Sequence, residues 1–127
     1  STPYMDEAMR CDRVALIQNG NILAIDSPQQ ISNGFGRRLF SIKSANKYSL
    51  ITALRSMNET VSAFPFGEAV HVTFIDDRVP LNIAGYLARH GVADAAISGM
   101  KPGIEDRFLE LMQTGDEAAE TLKTSLT

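Results

Sequence analysis

The chain has no tryptophan, one cysteine and two histidines, and each scarcity removes a class of function. A lone Cys11 excludes an internal disulfide, carries no argument for a metal and is compatible with a reducing compartment. His71 and His90 stand far apart, and neither has a cysteine or an acidic cluster beside it, so the spacing of a zinc site is missing. No apolar run approaches the ~20 residues of a transmembrane helix. The first residues also lack the charged-then-apolar order of a signal peptide. Basic residues are outnumbered, 12 Lys and Arg against 15 Asp and Glu for a net charge of −3, which leaves no electrostatic footprint for nucleic acid or an anionic membrane. Internal repeats are not visible.

What is present is enough apolar content for a core, 44% of 127 residues, in segments with clear periods. Tyr4 to Cys11 reads as a short helix, acidic at its start (Asp6, Glu7) and basic at its end (Arg10), as the helix dipole favours. Two apolar runs, Arg13 to Gln18 and Asn21 to Ile25, flank Asn19-Gly20. That is the signature of a tight hairpin, because both residues tolerate positive φ. Asp26-Ser27-Pro28 then caps a short helix over Gln29 to Ser32. Asn33-Gly34-Phe35-Gly36 is a break, and a domain boundary is placed there, giving units at 1–34 and 35–113.

Beyond the break, Leu39 to Lys43 alternates as a strand, and Asn46 to Met57 is a helix with Leu50, Ile51, Leu54 and Met57 on one face. Val61 to Phe66 and Ala69 to Ile75 form strands turned at Gly67-Glu68. Val70, Val72 and Phe74 share one side of the second; His71, Thr73 and Ile75 share the other. Val79 to His90 is expected to be helical, with Leu81, Ala84, Leu87 and Ala88 inward and Gly91 as a stop. Ala93 to Ser98 is a weak strand, and Gly103 to Gln113 a final helix with Ile104, Phe108, Leu111 and Met112 on a stripe. The order β-α-β-β-α-β followed by α predicts an α+β fold with a ferredoxin-like second domain. Residues 114–127 are polar and are expected to be frayed or to act as a linker.

Two stretches carry a family resemblance. Ser1, Thr2, Tyr4, Met5, Asp6, Glu7, Ala8, then Cys11, Asp12, Arg13 and Gly20, resemble the switch loop and following hairpin of ATP-binding cassette (ABC) subunits from bacterial drug and multidrug exporters. Pro102-Gly103-Ile104-Glu105-Asp106-Arg107-Phe108 is similar to the P-S-L/I-E-D-x-F segment that closes the accessory domain of such subunits. The resemblance implies that the chain is a C-terminal piece: the end of a nucleotide-binding domain joined to an accessory domain. It implies a parent ATPase that binds ATP and Mg²⁺. The implied partners are the rest of its own nucleotide-binding domain, a second ATP-binding subunit or tandem cassette, and a transmembrane permease. The implied location is the cytoplasmic face of the cell membrane, reached through that permease.

The piece itself is expected to be non-catalytic. It contains neither G-x-x-x-x-G-K-[ST] nor an L-S-G-G-Q-like string, and cradling phosphates needs that run of N–H groups and the lysine. Catalytic, cofactor-binding and metal positions are therefore expected to be none. Where the family usually has a histidine reaching the γ-phosphate, this chain has Pro3, which has no side-chain donor and no N–H. Either the lineage hydrolyses ATP without that histidine, or the site is degenerate and paired with a competent one.

Other residues are weighed in the same way. Asn33 to Arg38 offers glycines and arginines to a phosphate but precedes a strand instead of opening a helix, so it reads as a linker. Asp76-Asp77, followed by Arg78, reads as a solvated turn. His90 suits a helix C-terminus, and Arg107 with Glu110 forms a surface ion pair of small worth. Phe35, Phe64 and Phe66 are read as core-filling, with docking to a partner as the alternative. Ile104, Phe108 and Met112 are the candidate interaction face, packing either on the chain's own sheet or on a neighbour. The leading functional expectation is a regulatory and interaction module of an exporter's ATPase subunit. The alternative is a stand-alone ferredoxin-like domain for small-ligand sensing or dimerisation. RNA recognition lacks basic and aromatic support, and a free-standing enzyme lacks a nucleophile–base set.

Overall fold

The computed structural model describes residues 7–113. Pro3, most of the expected Tyr4–Cys11 helix and the 114–127 tail lie outside the described residues. Of that helix, residues 7–8 are helical, and the Arg10 N–H donates to the Glu7 carbonyl in the turn that follows. The fold is α+β, with two antiparallel sheets. Of the described residues, 7–35 and 102–113 form one unit, and Gly36–Lys101 form the other.

The first unit is built on a hairpin, β1 (Val14–Gln18) and β2 (Asn21–Asp26). Asn19 and Gly20 turn it at φ 52° and 78°, the left-handed conformations that a two-residue turn requires and that these residue types accept. The register runs from Val14↔Asp26 to Gln18↔Asn21, shifted once by an irregularity between Leu16 and Ile17. Helix α1 (Pro28–Asn33) follows, and the Ser27 hydroxyl accepts the Gln30 N–H at 3.2 Å in a side-chain N-cap. Pro28 at the first turn costs no hydrogen bond, because that N–H would have no helical partner anyway.

The second unit is a four-stranded antiparallel sheet of β3 (Leu39–Lys43), β4 (Thr60–Phe66), β5 (Ala69–Phe74) and β6 (Ala96–Met100). Their spatial order is β4-β5-β3-β6. Helices α2 (Lys47–Ser56) and α3 (Ile83–Arg89) connect β3 to β4 and β5 to β6. The strands have the expected faces: Val70, Val72 and Phe74 are buried with Phe40 and Ile42 against Leu50, Leu54, Ile83 and Leu87. Phe40 and Phe74 meet tilted, their centroids 5.7 Å apart, a favourable aromatic arrangement.

Three expectations are corrected. The second helix begins at Ile83 instead of Val79, and its buried stripe is Ile83 and Leu87, with Tyr86 half-buried; Leu81, Ala84 and Ala88 are exposed. Leu81 and Ile83 are two residues apart and so lie on opposite sides of any helix. The larger Ile83–Leu87 pair takes the core, and the segment before Ile83 stays outside the helix, with a turn at residues 81–82. The last strand runs from Ala96 to Met100, three residues later than its expected start, because Val92 is drawn into the core at 1% exposure. Finally, the helix at residues 104–113, here α4, belongs to the first unit and does not close the second.

The corrected stripe is testable by urea denaturation. Leu87→Ala, at a fully buried position, is expected to cost about 2–5 kcal/mol. Leu81→Ala should stay within about 0.5 kcal/mol of the parent. Equal losses would restore the original stripe.

Candidate interaction surface

The candidate face on α4 is assembled from the first unit's own residues. Ile104 is 3% exposed and clusters with Leu16 of β1 and Ile31 of α1; Phe108 and Leu111 pack against this cluster with Val14, Leu23 and Ala24. Met112 is half-buried. Of the two packings open to Ile104 and Phe108, the observed one is within the chain, and the surface they cover is the N-terminal hairpin. The motif spacing fixes how α4 starts. Gly103 precedes the first turn, and Asp106 reaches back to accept the Gly103 N–H at 2.8 Å, one half of a capping box. Arg107 pairs with Glu110 three residues on, both only partly exposed. Its guanidinium lies so close to Gly34 that a Cβ there would meet Nε at 3.1 Å.

The basic and acidic residues considered for ligands have structural partners. Gly34 is the C-cap of α1, with its N–H directed to the carbonyls of the last turn. Arg37 donates to the Phe74 and Ile75 carbonyls at 3.3 and 3.2 Å, and the Arg38 N–H donates to Asp77 Oδ1 at 3.1 Å. Arg38 also lies over the Phe40 ring, 5.3 Å from its centroid, a cation–π contact. Asp77 occupies a left-handed turn position at φ 55°. The residues of this segment do not fit a nucleotide phosphate: no helix opens after the glycines, Arg37 already holds two carbonyls of its own unit and Arg38 lies over the Phe40 ring. Among the described residues no group of three or more His, Cys, Asp or Glu could hold a metal ion, and no helix is long and apolar enough to cross a membrane.

His90 caps α3, with Nδ1 2.8 Å from the Tyr86 carbonyl and its ring stacked on Tyr86. His71 stacks on Phe66 at 4.1 Å, nearly parallel. Phe64 and Phe66 are half-buried and stand outside the core cluster, which takes its aromatics from Phe40 and Phe74. Core-filling was the wrong expectation for these two, because alternation from the buried Ala63 directs them to the opposite face of the sheet.

One polar feature had no signal in the sequence. An open groove of about 520 Å³ in the second unit is lined by Lys43, Ser44, Lys47, Glu68, Asp94 and two alanines. Asp94 Oδ2 accepts the Ala45 N–H at 2.8 Å, and Oδ1 accepts the Ser44 hydroxyl at 2.6 Å. These bonds, the backbone one foremost, hold its carboxyl below the usual carboxylate range. Asn46 caps α2 beside it by accepting the Ser49 N–H. Asp94 lies 49 residues from Ala45, so only the folded chain brings the groups together.

Comparison of the chain with known protein families, with curated proteins and with solved structures finds no match.

Two outcomes check this geometry. Asp106→Ala should lower stability by about 1 kcal/mol through loss of the cap, seen as a lower urea midpoint. Asp94 has a depressed folded pKa, so its stabilisation is present above its unfolded value of about 3.9 and is lost as pH falls through the folded value. Asp94→Asn should therefore be less stable than the parent at neutral pH, with the gap narrowing as pH falls below the unfolded value. A gap independent of pH would mean that the carboxylate charge contributes nothing.

Proposed function

We propose that the chain is the C-terminal part of the ATP-binding subunit of an ABC exporter. The first unit would be the end of the nucleotide-binding domain, and the 36–101 unit an accessory, regulatory domain. The observation that carries this reading is the matching string itself, Ser1, Thr2, Tyr4 to Ala8 and Cys11 to Arg13, followed by Gly20 at the turn of the hairpin. The two stretches that resemble the family are about ninety residues apart in sequence. Their described parts, residues 7–13 with Gly20 and residues 102–108, lie in the same unit, so the second stretch departs from the accessory-domain position that the resemblance implies for it.

The strand order β4-β5-β3-β6, antiparallel throughout and joined through α2 and α3, supports reading the second unit as the ferredoxin-like split βαβ arrangement. On this reading the chain alone is not an ATPase. ATP and Mg²⁺ bind in the parent protein, which lies on the inner face of the membrane through its permease. The accessory unit acts by contact, biasing how two ATP-binding subunits close. Within it, Arg37 holds the turn at residues 74–77 and Asp94 clasps residues 44–45.

The native reading frame is the direct test. A Gly-rich phosphate loop and a signature motif encoded upstream of Ser1 are expected. A start codon immediately before Ser1, with no cassette, would overturn the assignment and bring forward a stand-alone ligand-sensing or dimerisation domain. In the full-length protein, Pro3→His is expected to raise ATP turnover by about tenfold or more if Pro3 cripples the site; unchanged turnover would show that the lineage does not depend on a histidine there.

A further inference from the structure

The two edges of the four-stranded sheet are built differently. Strand β4 ends the sheet on one side, and Pro65 within it has no N–H to offer; a proline is accommodated in a sheet only where that missing donor faces away from the partner strand. Ala63, two residues earlier, points its polar groups the same way. Its carbonyl is taken by Arg55 of α2, which donates from Nε at 3.1 Å and from a terminal nitrogen at 2.8 Å. A proline and an arginine clamp on one outer edge are devices that stop another strand from adding.

Strand β6 ends the other side of the sheet; among the described residues it carries no proline and no arginine clamp on its carbonyls, Arg38 lying beside Gly99 in the direction of its missing Cβ, on the face of the strand. Ala96-Ile97-Ser98-Gly99-Met100 contains no proline and no charge, and Ala96, Ser98 and Gly99 are exposed. Its β3-facing groups are used in the register Leu39↔Met100 to Lys43↔Ala96. Alternate residues direct their N–H and C=O groups outward.

We propose that β6 is a dimerisation edge whose occupant is the β6 strand of a second copy, paired antiparallel about a two-fold axis. Pairing centred on Ser98, the middle residue, sets Ala96 of each copy opposite Met100 of the other and leaves no charge between the strands. It also brings Lys101 of each copy to the end where the other carries Asp94, both exposed, so the flanking charges are complementary. The result is a continuous eight-stranded sheet. A five-residue edge is a small interface, so the dimer is weak and concentration-dependent. The inference needs only the sheet and its two edges, and stands or falls apart from the exporter reading.

The test is sedimentation velocity of the 127-residue chain from micromolar to millimolar concentration. A reversible dimer is expected. Ser98→Lys, which sets two lysines opposite each other at an exposed position, should weaken it by roughly tenfold or more. Ile22→Lys, on the exposed side of the N-terminal hairpin, should leave it intact. Because a variant can fail by unfolding, the same pairing is also probed by Ser98→Cys in a Cys11→Ser background. Cα atoms directly opposite each other lie about 4.5–5.5 Å apart, within disulfide reach, so mild oxidation should give a covalent dimer. A chain that stays monomeric throughout, a Ser98→Cys chain that dimerises without cross-linking, or a dimer lost in Ile22→Lys and kept in Ser98→Lys would overturn the proposal.

Discussion

The contact among Leu16, Ile31 and Ile104 sets the organisation of the chain. A two-stranded hairpin is marginal by itself because one side of it always remains wet. Here β1 and β2 gain a buried side only where α1 and α4 cover them. Residues 102–113 must therefore return to a structure begun more than seventy positions earlier. Each leucine or isoleucine brought fully out of water contributes about 1.5–3 kcal/mol. Three such residues are a large share of what a unit of this size can muster.

That requirement constrains the 36–101 unit as well. A segment that interrupts another unit has to begin and end in nearly the same place. Its first and last strands do so: β3 and β6 are neighbours, with Leu39 paired to Met100. The strand order thus does two things. It buries Phe40, Ile42, Val70, Val72 and Phe74 under α2 and α3, and it hands the chain back where it was received.

Local chemistry made most of the elements legible. Asn19-Gly20 specified the hairpin, Ser27-Pro28 the start of α1, and the alternation of Val70, Val72 and Phe74 the buried side of the sheet. What failed did so for identifiable reasons. Leu81 and Ile83 offer competing stripes, and composition cannot choose which one the sheet will accept. The membership of α4 depends on a contact between positions 16 and 104, which no local period encodes. Phe64 and Phe66 stand outside the core because their aromatic character favours burial while their parity with the buried Ala63 sends them to the other face of the sheet. The groove around Asp94 is wholly a product of tertiary structure, since Asp94 meets residues 44–45 only in the folded chain.

The claim on which the rest depends is that α4 completes the N-terminal hairpin. Hydrogen–deuterium exchange of the chain and its Ile104→Ala variant, resolved by peptide, tests it most directly. Loss of protection in residues 14–26 with β3, β5 and β6 unchanged is the predicted result. Loss confined to residues 39–43 and 96–100, with the hairpin as protected as before, would contradict it.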